Sequence, residues 1–174
     1  ALTPGRVVVK NINFEYLDMF LYKLEEMGVN FDRGENQITV FYSPFLKPLK
    51  PQALPHPGFP TDLLPIIIPL LTRAQGKSLI HDPLYENRLG YAHELRKMGG
   101  DIEELPDGLI IKKSNLKGAT VSGHGDHRVV MSLAVAGLAA KGVTEIDTAE
   151  AMNVTFPNFA DLMNGLGAYM SLHP

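Results

Sequence analysis

The sequence predicts an α/β fold assembled from repeated strand-helix-strand-helix-strand-strand units. Three observations predict it. Five stretches with helical apolar spacing each run into a glycine and then into a strand-like segment; every second one of those glycines recurs at a near-constant interval; and short β-rich runs fill the gaps between them.

In chain order, Arg6–Lys10 reads as a strand. Asn13–Met27 then carries Phe14, Leu17, Phe20, Leu21, Leu24 and Met27 at helical spacing, and ends at Gly28 before a strand at Val29–Phe31. A second strand follows at Gln37–Tyr42. Ser43–Pro60 contains six prolines and reads as an extended linker. The helix expected over Thr61–Gln75 ends at Gly76 before Lys77–Ile80, and Pro69 inside it predicts a kink, because proline has no N–H to give. A helix over Asn87–Met98 stops at Gly99 before Asp101–Glu103, with further strands at Gly108–Lys112 and Ala119–Ser122. Asp126–Lys141 spreads its apolar residues around the helix among small ones, the pattern of a helix buried on most sides, and ends at Gly142 before Val143–Ile146. The last helix, Asn158–Leu166, ends at Gly167 before an expected strand at Ala168–Leu172. A glycine just past a helix takes the left-handed conformation that stops it. The step from Gly28 to Gly99 is nearly the same as that from Gly76 to Gly142 and that from Gly99 to Gly167. A unit of that length, holding two helix-glycine-strand elements, therefore recurs. It gives one domain over 1–174, with units near 1–43, 61–113 and 114–174 and the proline-rich linker over 43–60.

Composition narrows the function. With 174 residues the chain is large enough for one well-buried domain, and its 45% hydrophobic content is that of an ordinary globular protein. A net charge of -3 and a pI near 6.1 argue against a nucleic-acid partner. Without cysteine the chain offers no disulfide framework, thiolate metal site or cysteine nucleophile. The longest apolar run, Leu63 to Leu71, is too short to span a bilayer, and the opening residues do not read as a secretory leader, so the expected compartment is the cytoplasm.

Polar residues of unusual character gather where helices begin. Thr61 and Asp62 open the second helix, Glu86, Asn87 and Arg88 the third, and Asp126, His127 and Arg128 the fourth. Helix N-termini present unpaired N–H groups and a partial positive charge, so Asp62 and Asp126 are explained as caps. An arginine there opposes the dipole, and a bound anion would supply its reason, because the planar guanidinium fork matches phosphate and carboxylate. Each residue also has a plain structural reading. Arg88 pairs equally well with Glu86 or Glu94 on the surface, and His127 serves equally well as a buried core histidine. The histidine spacing does not suggest a metal site.

On these residues the chain resembles the enolpyruvyl transferase family. His56-Pro57-Gly58-Phe59-Pro60-Thr61-Asp62-Leu63 resembles the Pro-Gly-Phe-Pro-Thr-Asp-Leu signature of the UDP-N-acetylglucosamine 1-carboxyvinyltransferases. Tyr85-Glu86-Asn87-Arg88-Leu89, followed by Glu94-Leu95-Arg96-Lys97-Met98-Gly99, is similar to a second segment of the same enzymes. The last third leans toward the 3-phosphoshikimate 1-carboxyvinyltransferases, through Gly125-Asp126-His127-Arg128 and Thr155-Phe156-Pro157-Asn158-Phe159. Two departures stand out: Val154 occupies the position where many shikimate enzymes carry lysine, and the Arg-Gly-Tyr-Glu segment of the UDP-sugar enzymes is missing.

The resemblance covers essentially the whole chain but about half of a family member. It implies an inside-out α/β barrel with buried helices, one of two similar domains, the second being a partner for this one. It implies an enzyme that moves the enolpyruvyl group of phosphoenolpyruvate to a hydroxyl acceptor, UDP-N-acetylglucosamine or, alternatively, shikimate 3-phosphate, with neither metal nor organic cofactor. Asp62, Arg88 and Arg128 would be catalytic, with Thr61, Glu86, Asn87, Asp126 and His127 binding substrate, and the isolated chain would be inactive. An alternative of another class is a non-catalytic scaffold that keeps the fold. Neither nucleic acid nor membrane is an expected partner.

Overall fold

The computed structural model describes residues 1–84 and 89–173. Its first sheet contains β1 (Arg6–Lys10), β2 (Phe31–Arg33) and β3 (Gln37–Phe41) in the order β1-β3-β2, with α1 (Asp18–Met27) between β1 and β2. After α2 (Leu64–Leu71), the second sheet contains β4 (Lys77–His81), β5 (Asp101–Leu105) and β6 (Gly108–Lys112) in the order β4-β6-β5, with α3 (Tyr91–Lys97) between β4 and β5.

The two sheets share one register. Arg6 faces Phe41 as Lys77 faces Lys112, and Phe31 faces Val40 as Ile102 faces Ile111. The displacement along the chain is in each case the one that separates Gly28 from Gly99. The helix ends are copied as closely. Val29 N donates to Leu24 O, Gly100 N to Leu95 O and Ala168 N to Met163 O, each at 2.9 Å. Gly28, Gly99 and Gly167 close the three helices at φ 84°, 88° and 97°. A side chain there is strained, which explains why the repeat is written in glycine.

Segment 43–60 is extended but is not a free connector. Residues 46–53 run parallel to β4: Gln75 N donates to Leu46 O, Leu79 N to Leu49 O, His81 N to Pro51 O and Ala53 N to His81 O. Leu46, Leu49, Ala53 and Phe59 are buried. The segment is therefore the first strand of the second unit, which begins before residue 61. The third unit copies it: Lys141 N donates to Leu116 O, Glu145 N to Ala119 O and Gly123 N to Asp147 O. There β7 (Thr120–Ser122) pairs in parallel with β8 (Glu145–Asp147), flanking α4 (His127–Ala139).

Several boundaries differ from the sequence reading. The first helix splits at Leu17, because Asn13 caps a 3₁₀ turn at Phe14–Tyr16 before α1 starts. The second stops at Leu71, where Thr72 Oγ1 donates to Pro69 O and Gln75 turns to pair with Leu46. The beginning of the third, residues 87 and 88, lies outside the described residues. Asp126 caps α4 instead of joining it, and Ala140 leaves it in an extended conformation. A short α5 (Met152–Thr155) precedes α6 (Phe159–Gly165). Residues 168–172 form no strand: Asn164 ties both N–H and C=O of Met170 back to the helix end, at 2.7 and 2.8 Å.

The helices α2 and α4 lie in the interior, whereas α6 buries no residue. In α2, Leu64, Pro65, Ile67, Ile68, Pro69 and Leu71 are all buried, and α2 packs along α4. Leu95 of α3 and Met98 just past its end add to the same core, with Met27 of α1. The ion pair between Asp62 and Arg128 places the starts of α2 and α4 at one end, where the candidate site lies. Among the described residues no helix is long and apolar enough to cross a membrane.

Candidate functional site

Pro60 precedes α2 in an extended conformation, so Thr61 and Asp62 fall in the 3₁₀ turn Thr61–Leu63 that leads into the helix. Asp62 thus sits within the first turn, while Pro60 occupies the cap position. Thr61 Oγ1 donates to Asp82 Oδ2 at 2.8 Å. Asp82 is 6% exposed at the exit of β4, and its other oxygen accepts from Leu84 N at 3.3 Å. The turn that opens α2 is therefore held from the strand that follows it.

At α4, Asp126 is a true N-cap: its Oδ1 accepts from Arg128 N at 2.9 Å. The same carboxylate receives the Arg128 side chain, Nε to Oδ1 at 3.0 Å and Nη2 to Oδ2. Arg128 Nη1 lies 3.6 Å from Asp62 Oδ1, so the starts of two helices from successive units are joined by an ion pair. The Arg128 side chain is 14% exposed and that of Asp62 is 64% exposed. The cation is thus largely enclosed, while the carboxylate faces solvent. An arginine in a first turn needed a compensating anion, and here two carboxylates of the chain itself supply one.

Electrostatics agree with this geometry. Burial pushes the Asp126 carboxyl up, but hydrogen bonds from Arg128 outweigh it and hold the group below its ordinary range; the charge of His127 acts in the same direction. The hydrogen bond to Asp126 raises Arg128 against the opposing effect of burial, with help from Asp62. Half-buried His127 follows directly after the cap. Beside this group Tyr91 is 2% exposed, and its hydroxyl lacks a hydrogen-bond partner among the described residues. Burial, and then the charge of Asp82, raise its pKa far enough to keep it a donor.

The structure thus brings together Thr61, Asp62, Asp126, His127 and Arg128. Glu86, Asn87 and Arg88 lie outside the described residues. Sequence reasoning missed Asp82, Tyr91 and Glu94. For Glu94 a signal existed: Tyr91, Glu94, Leu95 and Met98 share one helical stripe, which puts a carboxylate on the face that α3 buries. Among the described residues no cluster of histidine and carboxylates is arranged to hold a metal ion.

Comparison with known proteins adds an independent line. The family model described as EPSP synthase (3-phosphoshikimate 1-carboxyvinyltransferase) matches residues 1–163. The chain is 41% identical over 167 residues to UDP-N-acetylglucosamine 1-carboxyvinyltransferase 2 of Latilactobacillus sakei, covering 95% of this chain and 40% of that protein. It is 62% identical over 78 residues to the 3-phosphoshikimate 1-carboxyvinyltransferase of Acetivibrio thermocellus, covering 45% of this chain and 18% of that one. Among solved structures, the enolpyruvyl transferase NikO of Streptomyces tendae shares the fold, with a TM-score of 0.86 at 22% identity over 95% of this chain and 39% of that one. EPSP synthase of Acinetobacter baumannii gives a TM-score of 0.81 at 26% identity, over all of this chain and 44% of that chain. The chain spans about 40% of the length of the curated relatives it matches over nearly its whole length.

Proposed function

Because the chain belongs to the EPSP synthase family, we propose that it is part of an enolpyruvyl transferase that moves the enolpyruvyl group of phosphoenolpyruvate to UDP-N-acetylglucosamine in peptidoglycan precursor synthesis. The observation that carries the reading is the meeting of Asp62 and Arg128 at the adjoining starts of α2 and α4. An exposed carboxylate beside an enclosed cation suits a reaction in which a neutral hydroxyl must lose a proton next to a bound anion.

In this reading the acceptor hydroxyl adds to C2 of phosphoenolpyruvate while C3 gains a proton, and phosphate then leaves from the tetrahedral intermediate as C3 loses one. Asp62 takes or orients the hydroxyl proton. Arg128 and Arg88 grip the phosphoenolpyruvate anion, aided by the N–H groups of the helix starts. Asp126 and Glu86 hold the two arginines, His127 donates to the anion, and Thr61 and Asn87 contact substrate. Asp82 fixes the turn that carries Thr61 and Asp62. A second domain, supplied by the rest of a full-length protein, completes the site and excludes water on closing. The reaction belongs in the cytoplasm, and neither metal nor organic cofactor takes part.

A second acceptor has a specific observation in its favour. The 62% identity over 78 residues to a 3-phosphoshikimate enzyme, with Gly125-Asp126-His127-Arg128, favours shikimate 3-phosphate. One experiment separates the readings: phosphate release from phosphoenolpyruvate by the full-length protein, assayed with each acceptor in parallel. Turnover with UDP-N-acetylglucosamine is expected, and turnover with shikimate 3-phosphate alone would select the second acceptor. Asp62→Ala should lower kcat by about 100-fold or more, the usual loss of a proton-transfer group. Unchanged activity in both Asp62→Ala and Arg128→Ala would point instead to a non-catalytic scaffold. The chain by itself should release no phosphate.

A further inference from the structure

Outside the Asp62–Arg128 group, one carboxylate is buried without an assigned role. The side chain of Glu94 on α3 is fully enclosed. Its oxygens accept from Lys97 Nζ at 3.0 and 2.9 Å and from the backbone N–H of Ser122 at 2.8 Å, and Oε1 lies 3.1 Å from His124 Nε2. Enclosing a carboxylate is costly unless its lone pairs are satisfied, and an apolar residue would fill the same stripe without that cost. Of the three partners, Ser122 ends β7, and His124 lies in the turn between β7 and α4.

That turn decides where Arg128 stands. Its far side is anchored by Gly123 N donating to Asp147 O at 3.0 Å, and Asp126 N closes it onto Gly123 O at 2.9 Å. A Cβ on Gly123 would come within 2.4 Å of Val130 Cγ2, so the turn lies directly on α4. His124 takes the left-handed conformation at φ 51°, which is unfavourable for a residue that carries a side chain. The bond from its ring to Glu94 offsets that cost. From Asp126 onward the path is short: the cap oxygen holds both the amide and the guanidinium of Arg128.

We propose that Glu94 is a positioning residue for Arg128, acting from α3 through Ser122 and His124 to fix the turn that presents Asp126 and Arg128 to the bound anion. The proposal rests on the functional reading above for the identity of that anion. The mechanical part stands on the geometry alone.

The test compares the full-length protein with its Glu94→Gln variant, which preserves shape and removes charge. Amide exchange at Ser122 and Asp126 should accelerate about tenfold, while Leu79 and Ile111 in the second sheet keep their rates. The KM for phosphoenolpyruvate should rise about tenfold with kcat within about threefold, the pattern of a weakened ground-state contact. Exchange that is unchanged, or accelerated equally in the second sheet, would overturn the proposal, as would an unaltered KM. Should Glu94→Gln fail to fold, His124→Asn replaces an exposed ring with a residue that tolerates the left-handed conformation. It should give the same local pattern at about threefold. Absence of turnover in the unmodified protein would defeat the functional reading, and the exchange comparison would then decide the positioning role by itself.

Discussion

At the scale of single residues, Glu94 ties acid stability to site geometry. Burial pushes its carboxyl up, but the Ser122 N–H, Lys97 and His124 together outweigh it and bring the group from 4.5 down to about 2. A carboxyl with a depressed folded pKa stabilises the fold above its unfolded value, and the contribution is lost as pH falls through the folded one. The window here runs from about 4.5 down to about 2, and at about 1.4 kcal/mol per pH unit the loss is on the order of 3 kcal/mol. Unfolding free energies measured between pH 5 and 2.5 should fall more steeply for the native protein than for Glu94→Gln. Parallel curves would show that the carboxylate is not held as described. What is legible at this scale follows from distance along the chain. Asp126 caps its own helix two residues away from its donor, and such local chemistry reads directly from sequence. Asp82 answers Thr61 across 21 residues and Glu94 answers Ser122 across 28, pairings that only the fold creates.

At the scale of elements, two prolines are instructive, one that misdirects the reading and one that fits it. Pro51 supplies a carbonyl but no N–H to its neighbour β4, so segment 46–53 has the composition of a connector while it serves as a strand at the side of a sheet. Pro69 has no N–H for the carbonyl of Pro65 one turn earlier, and the helix nonetheless runs through it. That carbonyl is answered from α4, where Ser132 Oγ donates to Pro65 O at 2.6 Å in the buried contact between the two helices. Ser132→Ala should therefore cost about 1–3 kcal/mol, the penalty of an unanswered buried acceptor. In a Pro69→Ala background, where the helix regains its own bond, the same change should cost clearly less. Chemical denaturation of the four proteins of this cycle checks it, and strict additivity would contradict the compensation. The helix itself is legible from apolar spacing. Its partner serine is not, since a serine among small residues carries no periodic signal.

At the scale of the whole molecule, the repeat is legible because Gly28, Gly99 and Gly167 mark the ends of α1, α3 and α6, whatever the packing around them. The sequence expectation of a strand at 168–172 fails for the opposite reason: a strand exists only through its neighbours, and Asn164 claims the backbone of Met170 first. The shared register has a kinetic consequence. Since β1 copies β4 one repeat earlier, Val8 and Lys10 stand where Leu79 and His81 stand, and it is the amides of Leu79 and His81 that receive segment 46–53. During refolding that segment meets two look-alike edges, its own and one that resembles it, and a second chain offers both again. Wrong docking is then a matter of encounter frequency, as in domain-swapped repeat proteins. Refolding of this chain should slow and yield dimers as concentration rises, and Val8→Lys, which marks one edge as different, should restore single-exponential recovery. The regularity that makes the fold easy to read leaves the folding chain a choice between addresses.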